Sequence, residues 1–493
     1  MTGPASLTHS ARTLSASAVA KVLTGTPLEP PMYAALAGRL RRAFIEGRLP
    51  AGARMPSERE LMTALEVSRT TVTRAYQELR DSGHLRTTQG SGSRIFVPDV
   101  PGGRVDHLLS PSGTIEDEID LTTTAPSAAP LVPEAFQIAA EKVVDYLPGT
   151  GYYPSGLPVL REMVAARFTQ RGLPTDPDQI LITSGALGGA AIAAQALLAP
   201  GDRVLVEKPC YPNIIETLKG LRARIVPHAI DMNDSGQEWD AEGMAALLRL
   251  TGARSAYLVP DFQNPTGILM DDAQRERVGA ALRQARVVPI IDESPMELAL
   301  QERAMPLPLA AYVPDSITVG SVSKVYWCGL RIGWMRLPKS RIASMAQVRL
   351  RLDLGAPVLE QLAAVELMAR HEESLEYRRA RENASMKALL AGIQRDLPDW
   401  KVARPPGGGS LWCQLPDARS TALVAAARKY GVVLASGPTF APGGGLDDWL
   451  RLPFVLSEEV LAGVPARLAQ AWADTSAGQH RVGWGQAAAP IIA

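Results

Sequence analysis

Gly320-Ser321-Val322-Ser323-Lys324 places a lysine just after two hydroxyl residues, at the end of the apolar run Ser316-Ile317-Thr318-Val319. Seven positions on, Arg331 sits in the frame Gly329-Leu330-Arg331-Ile332-Gly333. A strand ending in such a lysine presents one amine at the rim of a sheet, where partial desolvation keeps it neutral enough to attack an aldehyde. The serines supply hydroxyl donors and the arginine a fork-shaped cation, which suits a phosphate dianion. An amine beside a phosphate clamp is the pairing that pyridoxal 5′-phosphate (PLP) needs, one group for its aldehyde and one for its phosphate.

Four further stretches fall where strand-like runs end. Ser184-Gly185-Ala186 follows Ile180-Leu181-Ile182-Thr183 and opens an Ala/Leu-rich helix, so its amides and hydroxyl are placed to bind phosphate at a helix N-terminus. Tyr211, in Pro209-Cys210-Tyr211-Pro212, lies just past a strand and offers a face for a flat ring. Asn264-Pro265-Thr266-Gly267 follows Val259, and an asparagine there is placed to bond a phenolic oxygen. Asp292 ends Ile290-Ile291, and a carboxylate beside a pyridine nitrogen keeps it protonated. Each alone has an ordinary structural explanation: a cap, a core tyrosine, a turn, a strand end.

The elements that must position these groups alternate. Strand-like runs at 180–183, 203–206, 223–227, 256–259, 287–291 and 317–319 are separated in many places by helical patterns. Such alternation predicts an α/β fold with a mainly parallel sheet covered by helices on both faces. Ligand residues then gather at the C-terminal ends of the strands.

The first hundred residues differ in kind. They hold 13 Lys/Arg against 8 Asp/Glu, while the rest of the chain holds 38 against 43, so a basic end is joined to an acidic body of zero overall charge. Zero is the charge of the whole chain, the body by itself being net negative, and that asymmetry hints at a polyanion partner for the basic end. Tyr33, Leu36, Leu40, Phe44 and Ile45 recur at helical spacing. Ser57 with Glu60 three residues on is a capping box that starts a second helix. Ser68 caps a third, whose Val72, Ala75, Tyr76 and Leu79 form an inward stripe. Arg69, Thr70, Thr71 and Arg74 are left at its N-terminus or on its outer face, as in the recognition helix of a helix-turn-helix. Leu85 to Val97, around Gly90-Ser91-Gly92, reads as a β-hairpin wing.

The expected organisation is a flexible tail over 1–29, a winged helix-turn-helix over 30–98 and a Pro/Gly/Ser-rich linker over 99–120. A large domain over 121–475 and a C-terminal tail over 476–493 complete it. Hydrophobic content of 46% and charged content of 21% are those of an ordinary globular protein. The cysteines, Cys210, Cys328 and Cys413, are too few and scattered for a disulfide framework or a metal cluster, so no metal is expected. With no basic-then-apolar leader and no membrane-length apolar run, the cytosol is the expected compartment.

Residues 31–97 resemble the winged helix-turn-helix of the GntR family, through Pro56-Ser57-Glu58-Arg59-Glu60-Leu61 and Ser68 to Leu79. The resemblance implies that Arg54, Ser68, Arg69, Thr70, Thr71, Arg74 and Gly90 face double-stranded DNA. Residues 120–475 resemble a fold type I PLP enzyme, the aspartate aminotransferase fold, and the combination resembles the MocR/GabR subfamily of GntR regulators. By that resemblance Lys324 carries PLP as a Schiff base, Asp292 pairs with the pyridine nitrogen, Asn264 bonds the ring hydroxyl and Tyr211 stacks on the ring. Ser184, Gly185, Ala186, Ser321, Ser323 and Arg331 hold the phosphate. Arg451, in Leu450-Arg451-Leu452-Pro453-Phe454, matches the arginine that pairs with an amino acid's α-carboxylate. Gly151-Tyr152-Tyr153-Pro154 matches the segment that sends a tyrosine to the neighbouring subunit, with Tyr152 or Tyr153 in that place. A homodimer, in this subfamily often domain-swapped, follows from such a shared site.

One departure stands out. The family usually has a tyrosine two or three residues after the strand-end aspartate, whereas Asp292 is followed by Glu293-Ser294-Pro295. The expected function is a DNA-binding transcriptional regulator that senses PLP or an amino acid-like compound. The alternatives are an active aminotransferase carrying a DNA-binding domain and a regulator that never loads PLP.

Overall fold

The computed structural model describes residues 13–23, 28–45, 49, 53–82, 84–88, 92–95, 118–232 and 239–477. The chain divides into two units, residues 1–106 and 107–493.

In the N-terminal unit α1 (Ala16–Val22), α2 (Met32–Ile45), α3 (Glu58–Leu65) and α4 (Arg69–Asp81) precede a hairpin of β1 (Leu85–Thr88) and β2 (Gly92–Ile95). The predicted capping box forms. Ser57 Oγ accepts from the Glu60 amide at 3.3 Å while Glu60 Oε2 accepts from the Ser57 amide at 2.8 Å. Leu36, Leu40, Phe44, Leu61, Val72, Ala75, Tyr76 and Leu79 are buried together, as the helical stripes required. The Tyr76 hydroxyl donates to the Pro56 carbonyl at 2.9 Å, which satisfies its polar end inside that core.

The expectation of a flexible tail over 1–29 fails for residues 13–23. Ser15 caps α1, accepting from the Ala18 amide at 3.2 Å, and Val19 is fully buried in the unit's core. Leu14 donates its amide to the Arg54 carbonyl at 2.9 Å, anchoring the segment to the body. Seven helical residues contribute two inward apolar side chains, too few to register as a periodic signal.

The large unit starts with β3 (Ile119–Asp120), so the last residues assigned to the linker are ordered in a sheet. Then come α5 (Val132–Lys142), α6 (Pro158–Gln170), β4 (Ile180–Thr183), α7 (Gly185–Leu197), β5 (Arg203–Lys208) and α8 (Pro212–Gly220). β6 (Arg224–Ala229), β7 (Ser255–Leu258), β8 (Val288–Asp292), β9 (Ile317–Ser321) and β10 (Gly333–Arg336) complete a seven-stranded sheet in the order β4-β10-β9-β8-β7-β5-β6. β6, β5, β7, β8 and β9 pair in parallel, and β10 runs antiparallel between β9 and β4. β4, β7 and β9 are buried end to end, which is why they read as continuous apolar runs.

Sequence reading did not resolve β10, whose residues Gly333-Trp334-Met335-Arg336 carry no alternation. It also did not separate a smaller antiparallel sheet: β11 (Lys401–Val402), β12 (Ser410–Gln414), β14 (Ala435–Ser436) and β15 (Trp449–Pro453), in the order β11-β12-β15-β14. This sheet packs its own core, including Leu389, Leu411, Leu450, Leu452 and Phe454. β13 (Val432–Val433) pairs in parallel with β3, tying the entry of the large unit to this smaller lobe.

Candidate functional site

The parallel strands end on one side, and the chemically informative residues collect there. A cavity of about 230 Å³ is lined by Gly185, Ala186, Tyr211, Asn264, Asp292, Ser321, Ser323, Lys324 and Arg331, together with Ala125 and Ser294. Nine of the residues expected to bind cofactor thus meet around one space. Ser184 stands one residue outside it as the residue preceding α7. Tyr152 is 63% exposed and does not line it, whereas Tyr153 packs edge-on against Tyr146 inside its own unit.

Lys324 is half-buried and lines the cavity. Its Nζ donates to Thr124 Oγ1 at 3.1 Å and to the Thr124 carbonyl at 3.3 Å. Burial lowers the amine's pKa, and the nearby Arg451 charge lowers it further against the opposing pull of Cys328 and Asp292. A larger neutral fraction makes it a better nucleophile toward an aldehyde.

Asp292 closes β8 and is held from two sides. The Tyr257 hydroxyl on β7 donates to Oδ2, and the Ser294 amide donates to Oδ1 at 2.8 Å. Neither Tyr257 nor Thr124 was singled out from the sequence. Tyr257 offers one retrospective signal, a lone hydroxyl inside the apolar strand Ser255-Ala256-Tyr257-Leu258, which needs a buried partner. Thr124 offers none, being 200 residues from the lysine it contacts.

At the opposite wall α7 begins with Gly185 at φ 78°, where a Cβ would come within 2.8 Å of Arg331 Nη2. The left-handed backbone favours glycine here. Arg331 donates to the Ser184 carbonyl at 3.3 Å and the Cys328 carbonyl at 3.5 Å, so its guanidinium rests at the start of α7. Ser184 makes no side-chain cap bond, which leaves the first amides of α7 available to an anion. No carboxylate pairs with Arg331 among the described residues.

Arg451, on β15, is fully buried. One amino group donates to the Thr122 carbonyl and the other to Asn264 Oδ1 at 3.4 Å, while Nε has no partner. The guanidinium lies 4.7 Å from the Phe440 ring centroid. Burial brings its pKa down to about 10. A buried cation with an orphaned donor and no carboxylate partner among the described residues is suited to a carboxylate-bearing ligand. The donor set therefore fits PLP and an amino compound: an amine, a strand-end carboxylate, a helix N-terminus with an arginine, and a second arginine.

A second carboxylate, also unpredicted, shapes this rim. Glu207 on β5 is fully buried and accepts from Trp239 Nε1 at 2.7 Å, the Val259 amide at 3.1 Å and Gln263 Nε2 at 3.2 Å. It thereby fixes the loop that carries Asn264.

In the N-terminal unit, Ser68 caps α4 by accepting from the Thr71 amide at 3.1 Å, and its hydroxyl meets that of Thr71 at 2.7 Å. Arg69 and Thr70 stand exposed in the first turn. Arg74 is also exposed but lies 4.1 Å over the Tyr33 ring, which limits its reach. Arg54 is exposed; its backbone pairs with Thr13 and Arg94, and its guanidinium lies against Gly92. Gly90 lies outside the described residues.

Residues 122–468 match the family described as aminotransferase class I and II, and residues 32–95 match bacterial regulatory proteins of the gntR family. The chain belongs to the class I and II aminotransferase family and carries a GntR-type winged helix-turn-helix, the MocR/GabR-type architecture. Among its relatives, the HTH-type transcriptional regulator YdcR of Escherichia coli is 27% identical over 447 residues, covering 85% of this chain and 93% of its own. The HTH-type pyridoxine biosynthesis transcriptional regulator PdxR of Corynebacterium glutamicum is 28% identical over 439 residues, covering 86% and 92%. A 2-aminoadipate transaminase of Thermus thermophilus is 31% identical over 359 residues, covering 70% and 85%. The structure of LysN, the α-aminoadipate aminotransferase of Thermus thermophilus complexed with N-(5′-phosphopyridoxyl)-L-leucine, superposes with a TM-score of 0.66 at 27% identity, over 74% of this chain and 94% of that one. The family, the fold and this neighbour identify pyridoxal phosphate as the cofactor of the large unit. Among the described residues no helix is long and apolar enough to cross a membrane.

Proposed function

We propose that this protein is a PLP-dependent, DNA-binding transcriptional regulator whose aminotransferase-like unit senses PLP or an amino compound through Lys324. The observation that carries this reading is the pairing, on one chain, of an exposed recognition-helix N-terminus with a cavity lined by a desolvated lysine and by Arg331. The full-length similarity to regulators supports it.

Residues of α4 supply the DNA contacts. The hydroxyls of Ser68, Thr70 and Thr71 and the first amides meet phosphates, and Arg69 reaches base edges in the major groove. In the large unit PLP supplies an aldehyde and an electron-accepting ring when bound. Lys324 holds the aldehyde end. Asp292, steadied by Tyr257, keeps a proton on the ring nitrogen, Asn264 bonds the phenolic oxygen, and Tyr211 lies against the ring. Ser184, Gly185, Ala186, Ser321, Ser323 and Arg331 hold the phosphate, and Arg451 takes a carboxylate. The working form is a homodimer, including a domain-swapped one, with Tyr152 turned to the neighbouring subunit. The 63% exposure of Tyr152, near in sequence to the exposed Val144 and Leu147, supports this. The protein works in the cytoplasm.

A second reading is an aminotransferase that carries its own DNA-binding domain. The intact set of Lys324, Asp292 and Arg451 favours it, as does the 31% identity to a transaminase. Ser294 stands against it, lining the cavity where the family's tyrosine would be expected.

The deciding experiment uses the purified chain with PLP. An absorption band fixed on Lys324 by borohydride, with operator binding that changes on adding PLP or an amino compound, supports the regulator. Conversion of amino donor and keto acid at an ordinary enzymatic rate, with no effect of either on DNA binding, supports the enzyme.

A further inference from the structure

Two cations of the site, Lys324 at the cavity and the buried Arg451, are held by one short segment. Lys324 Nζ donates to the hydroxyl and carbonyl of Thr124, and Arg451 donates to the carbonyl of Thr122. Ala125, the next residue, lines the cavity. Resting on the regulator reading above, we infer that residues 120–125 are the element that reports the state of this site, with Thr124 the positioning residue for Lys324.

Other polar groups of the segment are bonded away from the site. Ile119 and Leu121 donate their amides to the carbonyls of Gly431 and Val433, each at 2.8 Å. Asp120 Oδ1 accepts from the amide and hydroxyl of Thr122 at 2.8 and 2.6 Å, and Thr123 Oγ1 accepts from the Ala125 amide at 3.0 Å. The Thr122 carbonyl and the two oxygens of Thr124 are the points at which the segment is tied to Arg451 and Lys324.

Ligand chemistry acts on both ties. When neutral Nζ condenses with an aldehyde, a carbon–nitrogen double bond forms, and both amine hydrogens leave with the aldehyde oxygen as water. The nitrogen then carries at most one hydrogen in place of two, and Thr124, only 7% exposed, loses at least one of the two bonds to its oxygens. A carboxylate arriving at Arg451 competes with the neutral Thr122 carbonyl, and the charged acceptor makes the stronger bond. Buried acceptors stripped of donors are unfavourable, so the segment resettles. Loading and carboxylate capture thus carry the differential interaction that a shift between DNA-binding states requires.

The test is amide hydrogen exchange and operator affinity of the full-length protein, without and with PLP, and with PLP plus L-alanine. Exchange over residues 118–125 is expected to rise about tenfold on PLP loading and to be unresponsive in Lys324→Ala. Thr124→Val is expected to exchange fast before loading and to lose about threefold or more of the PLP-dependent change in DNA affinity, with Thr124→Ser restoring both. A merely structural threonine would lower stability with and without PLP and leave the PLP response intact. Loading on Lys324 and a normal DNA response, with unchanged exchange over 118–125 and a wild-type response from Thr124→Val, would overturn the inference alone. Failure of the wild-type chain to load PLP or to bind DNA overturns the regulator reading and the inference with it. Should Thr124→Val not fold, the wild-type exchange result decides.

Discussion

The Tyr257 hydroxyl on β7 donates to Oδ2 of Asp292 at the end of β8, the adjacent parallel strand. The two strands pair Leu258 with Ile291 and Tyr257 with Ile290, so the tyrosine reaches diagonally to the neighbouring strand end. That bond orients the carboxylate assigned to the ring nitrogen. Tyr257→Phe removes it without changing ring packing. The expected result is a PLP affinity about fivefold to tenfold weaker, the effect of one net hydrogen bond, measured by absorption titration. Unchanged affinity would show that the Ser294 amide alone suffices.

Covalent loading of Lys324 should follow the neutral amine. Because burial lowers its pKa, the neutral fraction at any pH below 10.5 exceeds that of an ordinary lysine. The loading rate is expected to rise with pH and to reach its midpoint below 10.5. Between the lowered pKa and the ordinary one, the unfolded chain holds a proton that the folded chain has released. The unloaded protein therefore gains stability as pH climbs through that window. A loading profile centred at or above the ordinary lysine value contradicts the assignment.

Arg451 distinguishes the two effector classes. Arg451→Gln removes the buried cation while leaving Lys324 in place. PLP loading should persist, and affinity for a carboxylate-bearing amino compound should fall about tenfold to a hundredfold, as for loss of a charged hydrogen bond. Spectral titration with amino acids measures it. An unaltered DNA response in this variant would point to PLP itself as the effector.

Glu207 gives the stability curve a definite sign. Burial raises its pKa to about 7, despite the donors around it. Between the ordinary value of 4.5 and about 7 the folded chain keeps a proton that the unfolded chain has lost. Its contribution is complete below 4.5 and disappears as pH rises through about 7. Glu207→Gln is expected to flatten thermal stability across that window, by at most about 1.4 kcal/mol per pH unit for one proton.

Ser68 and Arg69 separate folding from DNA binding. Ser68→Ala should cost the N-terminal unit about 1 kcal/mol through loss of the α4 cap. Arg69→Ala should leave melting unchanged and weaken operator binding by about 1–3 kcal/mol at fixed salt. Fluorescence anisotropy beside a thermal melt checks both. Equal operator affinity for Arg69→Ala would move the DNA contact elsewhere on α4.

Much of the architecture was legible because it is written in local chemistry. The Ser57–Glu60 capping box, the Val72-Ala75-Tyr76-Leu79 stripe and the apolar strand runs each act within a few residues. The Gly185 turn, the lysine after β9 and the aspartate ending β8 likewise announce themselves by neighbours along the chain. Residues 13–23 and β10 did not, because two apolar positions or a four-residue strand without alternation give no period to read.

The amino-acid sequence by itself determined which groups could do chemistry, and the order in which sheet topology would present them at one rim. Tertiary structure decided how those groups are held. Thr124 meets Lys324 across 200 residues, and Thr122 meets Arg451 across 329. Tyr257 meets Asp292 only because β7 and β8 pair in one register. These partners come together through strand order and through the β3–β13 pairing, which depend on burial summed over the whole unit. No local spacing encodes such a sum, so the identity of each partner became visible only in the folded chain.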